Sequence, residues 1–301
     1  MKADLSTINP NTSLEILAHQ LVEGFITGLH KSPYHGFSVE FAEHRLYNEG
    51  ESIRHVDWKV YARTDKLFSK RYEEETNLRC LIALDTSASM YYPSSTKAKI
   101  RFSKYAAAAL CYLLNRQRDA VGLCLFNNLI QNLTPVKSTP THLDKILRLL
   151  NDIEKQQPAL GKTEVAQVLH EIAEKIHKRS LVIIFSDMFE TSNDPEELFK
   201  ALQHLKHNKH EVIVFHVLDA STELEFNFED RPMEFIDLEN GDRIRLNPGD
   251  IRTQFKQESN QFYTALKVKC HQYKIDLIEA DVNGDFTMIL QTYLIKRAKM
   301  R

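Results

Sequence analysis

Three segments of this chain carry oxygen-bearing side chains where they could converge. Leu84-Asp85-Thr86-Ser87-Ala88-Ser89-Met90 closes an apolar run with an acid and two hydroxyls in a D-x-S-x-S spacing. Ser186-Asp187 closes a second apolar run with another acid, and Thr163 precedes a helical pattern beginning near Glu164. Asp85, Ser87, Ser89, Thr163 and Asp187 are all hard oxygen donors, with no cysteine or histidine among them. Such a set suits a small divalent cation, Mg²⁺ or Mn²⁺, that keeps several waters; zinc would prefer nitrogen or sulfur. Five groups cannot all bind an octahedral ion directly and leave it open, so one or both carboxylates would act through water. The open position would then receive a carboxylate from another molecule. Taken alone, D-x-S-x-S is equally a capped turn leading into a helix. An enzymatic alternative is a metal-dependent phosphatase or hydrolase with Asp85 as nucleophile. Against it, position 87 is serine rather than a second acid, and no histidine or lysine base follows a strand nearby.

These residues meet only if the strands that carry them are parallel, because parallel strands present their carboxyl ends at one edge of the sheet. From residue 80 onward, continuous apolar runs alternate with helical patterns, the signature of a parallel sheet covered on both faces. The runs are Cys80–Leu84, Ala120–Phe126, Leu181–Phe185, Val212–Leu218 and Ile275–Ile278. A sixth strand, Leu129 to Leu133, follows the turn residues Asn127-Asn128 and is expected at an antiparallel edge. Leu143, Ile146, Leu147, Leu150 and Ile153 make one helical stripe, and Val165, Val168, Leu169, Ile172 and Ile176 another. Ala106-Ala107-Ala108-Ala109 would let a helix over 99–117 approach the sheet closely.

Before this region, Thr12 and Glu15 have capping-box spacing ahead of an amphipathic helix, and Phe37, Val39 and Phe41 alternate as in a half-buried strand. A polar, irregular stretch is expected from there to about residue 77. Asn240-Gly241, between two short alternating runs, signals a hairpin. The organisation expected is an N-terminal helix and β-rich extension over 1–77, then a three-layer α/β domain over 78–301. Its central sheet would be mostly parallel and Rossmann-like, with a hairpin insertion at about 221–250, a last long helix over about 250–273 and a terminal helix over about 285–299.

Composition removes several function classes. The chain has nine glycines in 301 residues, and no two have the G-x-G spacing of a dinucleotide-binding loop. Gly161-Lys162-Thr163 looks like the end of a Walker A loop, but Gln156 stands where its first glycine would fall. Thirty-nine lysines and arginines nearly balance 41 aspartates and glutamates, so no global field draws the chain to nucleic acid or anionic lipid. No apolar run approaches the roughly 18 to 20 residues that cross a bilayer, and the first residues lack a signal segment. A cytoplasmic setting is expected, with Cys80, Cys111 and Cys124 as small core residues.

Asp85-Thr86-Ser87-Ala88-Ser89, Thr163 and Asp187 resemble the metal-ion-dependent adhesion site of von Willebrand factor A domains. With Gly36–Phe41, Arg45-Leu46-Tyr47, Gly50-Glu51, Arg54-His55-Val56-Asp57-Trp58, Tyr72–Glu75 and Phe235–Gly241, the chain is similar to the bacterial domain of unknown function 58 family from about residue 13 to its end. The resemblance implies a von Willebrand A fold and a non-enzymatic role in binding protein. It implies Ser87 and Ser89 as direct ligands, Thr163 as a ligand in some states, and Asp85 and Asp187 acting largely through water. Genes of this family commonly neighbour those of MoxR-type AAA+ ATPases, which implies such an ATPase as partner in assembling or activating other complexes, and a protein ligand bearing an acidic residue. Many members carry membrane helices before this region; this chain shows none. Lys162 beside Thr163 also departs from the usual second loop, and a cation there would weaken metal affinity or meet an anionic partner.

Other polar groups have simpler readings. His30, His35, His44 and His55 match no zinc spacing. His204, His207 and His210 would sit at the end of a lysine-rich helix, where cations suit the dipole. Lys296 to Arg301 reads as a solvated helix end and Glu73-Glu74-Glu75 as a solvated edge. Arg54, Asp57 and Trp58 would either tie the N-terminal segment to the sheet or form a surface for the ATPase.

Overall fold

The computed structural model describes residues 13–29, 44–46, 58–65, 67–70, 78–155, 165–188, 195–284 and 291–293. They belong to two compact units, one comprising residues 1–28 and 78–301, the other residues 29–77. Helix α1 (Leu14–Leu29) opens the first, with Leu14, Leu17, Ala18 and Val22 buried along one stripe. Ser13 Oγ accepts the Ile16 amide at 3.4 Å; Thr12, expected to cap, lies outside the described residues.

The smaller unit holds β1 (His44–Leu46), α2 (Trp58–Thr64) and β2 (Phe68–Lys70), with β1 and β2 antiparallel. Trp58 meets Tyr61 edge to face at 6.1 Å. The strand expected at Phe37–Phe41, together with Arg54, Asp57 and Glu73–Glu75, lies outside the described residues. Helix α2 stands where an irregular stretch was expected, because seven residues are too few for a 3.6-residue period to show.

The remaining elements follow in order. They are β3 (Arg79–Asp85), α3 (Ala98–Arg116), β4 (Ala120–Phe126), β5 (Ile130–Leu133), α4 (Pro140–Asp152), α5 (Val165–Lys175) and β6 (Leu181–Ser186). Then come α6 (Pro195–His207), β7 (Glu211–Leu218), β8 (Met233–Ile236), β9 (Arg243–Leu246), α7 (Pro248–Gln272) and β10 (Asp276–Asp281). The main sheet has strand order β10-β7-β6-β3-β4-β5, parallel throughout except for the β4–β5 pair at one edge. Asn127 makes that reversal by accepting the Leu129 amide on its side-chain oxygen at 3.1 Å.

Both faces of the sheet are covered. Leu81, Ala83, Cys124, Phe126, Val182, Ile184, Val212 and Val214 pack with α5, α6 and the Leu266–Cys270 end of α7. The pleat turns Cys80, Ile82, Leu84, Leu123, Leu125, Ile183, Phe185 and Phe215 the other way, toward α3 and α4, and all are buried. Ala106 to Ala109 of α3 are fully buried. The architecture is therefore three-layer α/β with a mostly parallel, Rossmann-like sheet. At Gly122 a Cβ would lie 3.0 Å from Val136 Cγ2 and 3.3 Å from the Pro135 carbonyl oxygen, so a side chain there would press on the 135–136 segment.

Glycine is nearly absent where helices end. Left-handed residues after α3, α6 and α7 are Arg118, Lys209 and Lys274, and the following amide reaches back to Leu114, Leu205 and Cys270 respectively. These cations adopt a conformation that costs about 1 kcal/mol relative to glycine but sit beside the negative ends of helix dipoles. β8 and β9 pair antiparallel around the expected Asn240-Gly241 turn, with Gly241 at φ +78°.

Candidate functional site

The chain leaves β3 for β4 on one side and later enters β6 on the other, so the crevice between the carboxyl ends of β3 and β6 is the switch point of the sheet. Open α/β sheets bind ligands there. The β3–β6 register pairs Leu84 with Phe185, which brings Asp85 level with Ser186. Ser186 Oγ donates to Asp85 Oδ2 at 2.7 Å, and the Ser87 amide donates to Asp85 Oδ1 at 2.8 Å. Ser87 Oγ lies 3.0 Å from Ser89 Oγ across the turn that opens the 3₁₀ segment Ala88–Tyr91. Thr86 is committed elsewhere: its amide and hydroxyl both reach the Phe126 carbonyl, at 2.6 and 2.8 Å. Four of the five residues singled out by sequence, Asp85, Ser87, Ser89 and Asp187, are thus on described segments at one edge; Thr163 lies outside the described residues, as does Lys162.

Asp85 is fully buried and Asp187 is 8% exposed. Burial, then the neighbouring Asp187 charge, raises the Asp85 carboxyl to about 7, against the opposing pull of its hydrogen bonds from Ser186 and Ser87. Two carboxylates that repel one another in a buried crevice, beside two hydroxyls in mutual contact, form a donor set that a small divalent ion would relieve. Among the described residues no three histidine, cysteine, aspartate or glutamate side chains form a metal-holding group. An ion here would therefore rest on two carboxylates, hydroxyls and water. By their oxygen chemistry the residues fit that role.

Three further groups surround the pair and were missed by sequence reasoning. Lys99 of α3 is fully buried, with Nζ 2.8 Å from Asp187 Oδ2 and 2.6 Å from Glu223 Oε1. Burial works against its charge, yet Asp187 and then Glu223 outweigh burial and hold the ammonium above the usual lysine range. Glu223, pushed up by burial, accepts the Asp219 amide at 2.7 Å on its other oxygen, within the single π-helical turn Ala220–Leu224. His216, level with Ser186 on β7, sets Nε2 2.9 Å from the Asp187 carbonyl oxygen and stacks on Tyr263; burial lowers its pKa. In sequence, nothing sets Lys99 apart from the neighbouring cations Lys97, Arg101 and Lys104.

A cavity of about 190 Å³ next to the 3₁₀ segment is lined by Ala88, Tyr91, Ser94, Lys97 and Leu238, the last from the β8–β9 turn. The histidine expectation needs one correction. His204 and His207 close α6, but His210 is fully buried at the start of β7, where its Nδ1 accepts the Ser180 amide at 3.3 Å. All four cysteines are buried and none is in a disulfide; burial pushes Cys124 and Cys270 up to about 12.

Residues 43–263 match the family described as "Protein of unknown function DUF58". The chain belongs to this family. "Uncharacterized protein Rv1480" of Mycobacterium tuberculosis (strain ATCC 25618 / H37Rv) is 26% identical over 207 residues, covering 69% of this chain and 63% of that protein. "Uncharacterized protein Mb1516" of Mycobacterium bovis matches to the same extent. The match therefore spans less than two thirds of the length of these relatives. Among solved structures, "conserved hypothetical protein BatB" from Bacteroides thetaiotaomicron overlaps at TM-score 0.46 and 16% identity, over 74% of this chain and 99% of that one. The "SpRpn10 VWA domain" overlaps at TM-score 0.40 and 12% identity, over 72% and 95%. Overlaps of this extent add nothing to the strand order, on which the fold assignment of this family member rests. No helix among its described residues is long and apolar enough to cross a membrane.

Proposed function

We propose that the chain is a non-enzymatic, divalent-metal-dependent protein-binding module. Mg²⁺ or Mn²⁺ would supply a point of positive charge with an open position for a partner's aspartate or glutamate. Ser87 and Ser89 are the direct ligands in this reading, joined by Thr163 in some states; Asp85 and Asp187 contribute charge largely through water. The observation that carries it is the pairing of two buried, mutually repelling carboxylates with the Ser87–Ser89 hydroxyl contact at the switch point of the sheet. A binding role is favoured over a phosphatase or hydrolase because both Asp85 oxygens already accept hydrogen bonds and the residue is fully buried, a poor state for a nucleophile. By its family resemblance the partner is a MoxR-type AAA+ ATPase, met in the cytoplasm, with an acidic client or ATPase segment as ligand.

Affinity capture tests the pairing, with the wild type and Ser89→Ala side by side, in Mg²⁺ and in EDTA. A AAA+ ATPase is expected with the wild type in Mg²⁺ and at least tenfold less in the other three conditions, the loss of about 1.4 kcal/mol or more of interaction. Equal recovery in all four would make the chain a metal-free scaffold, and an ATPase absent throughout would remove this partner.

A further inference from the structure

Lys99 is a buried cation lodged against the candidate ion site. Its side chain has no exposure, and its ammonium is shared between Asp187 of that site and Glu223 of the Ala220–Leu224 turn. A buried ammonium is tolerated only where carboxylates compensate it closely, and here the two short contacts come from opposite functions. Asp187 belongs to the crevice. Glu223 closes its own turn by accepting the Asp219 amide, and that turn leads through Phe226 and Phe228, whose carbonyls receive Arg252 of α7, to the β8–β9 hairpin.

We propose that Lys99 is the resident counter-cation of the site: its ammonium competes with the divalent ion for Asp187 and, through Glu223, couples occupancy of the site to the 219–224 turn. The inference rests on the cation-site reading above. Its physical basis is Coulombic. A single and a double positive charge a few ångström apart in a poorly screened crevice repel strongly, so Lys99 lowers the affinity of the site and keeps occupancy reversible. When an ion takes the Asp187 charge, the pull of the ammonium falls more fully on Glu223, and the turn that carries the hairpin tightens. The Tyr92 ring lies beside the same ammonium, its centroid 5.9 Å from Nζ.

The test measures Mn²⁺ affinity of the full chain by electron paramagnetic resonance, with amide exchange of residues 219–225 recorded with and without Mn²⁺. Lys99→Met is expected to bind Mn²⁺ about tenfold more tightly or better, and Glu223→Gln several-fold more weakly, because removing each charge changes the local field in opposite directions. Mn²⁺ slows exchange at 219–225 in the wild type and leaves it unchanged in Lys99→Met. A side chain that merely holds the fold together would weaken binding in both variants, and that outcome overturns the inference while leaving the ion site standing. So would affinities equal to wild type. If Lys99→Met does not fold, Glu223→Gln decides: weaker binding at unchanged urea stability supports the inference, and unchanged affinity, or weaker binding with a matching loss of stability, overturns it. Binding by Lys99→Met but not by wild type would uphold the counter-cation and remove the metal-dependent function; no binding by any form would remove both.

Discussion

Asp85→Asn is expected to make the metal-free protein more stable at pH 8, by up to about 4 kcal/mol, and to change little at pH 3, below the unfolded-state value. The sign follows from the direction of the shift. In the unfolded chain the carboxyl ionises near 3.8, whereas in the folded crevice it keeps its proton to about 7. Between those values the folded state binds the extra proton, so the contribution of this group to stability falls as pH rises, and the full deficit is present above 7. Asparagine has the same shape. Its Oδ1 still accepts the Ser87 amide, and its Nδ2 can donate to Ser186 Oγ in place of the bond now donated by Ser186. Urea unfolding in EDTA at the two pH values, with wild type and variant compared at each, isolates the term from other titrating groups. A variant less stable than wild type by the same amount at both pH values would mean that Asp85 is held for its hydrogen bonds and carries no stored repulsion.

The second large effect concerns what positions the acids. Phe185 immediately precedes Ser186 and Asp187, is fully buried, and stacks on Phe215 of the neighbouring strand with ring centroids 4.8 Å apart. Phe185→Ala should cost about 3 to 5 kcal/mol, the transfer term plus the cavity left in a rigid sheet face. Calorimetry or urea unfolding reads the loss directly. Phe185→Leu, which keeps most of the volume, should recover more than half of it. A loss below about 1 kcal/mol for the alanine variant would show that the β6–β7 pair is packed far less tightly than the geometry indicates.

Much of this was legible in the chain because parallel strands buried on both faces leave continuous apolar runs. Cys80 to Leu84, Leu181 to Phe185 and Val212 to Leu218 are buried without exception, and the Asn127-Asn128 turn marks the antiparallel edge. The crevice was legible for the same reason: polar residues that end such runs fall at one edge, and the register brings Asp85 beside Ser186. What periodicity could not show is pairing over distance. Lys99 differs from Lys97 and Arg101 only in where α3 points it, and its partners lie 88 and 124 residues away. His210 and His216 were equally hidden, since an imidazole in a strand is invisible until the strand is seen to be buried.

The central claim is that the strand-end oxygens hold one divalent ion. Titration of the purified chain with Mn²⁺, wild type against the Ser87→Ala/Ser89→Ala double variant, addresses it most directly. One Mn²⁺ per wild-type chain is expected, with a stability gain of about 1.4 kcal/mol at ten times the dissociation constant, and neither in the double variant. A wild type that binds no ion, or a double variant that binds as the wild type does, would contradict the account.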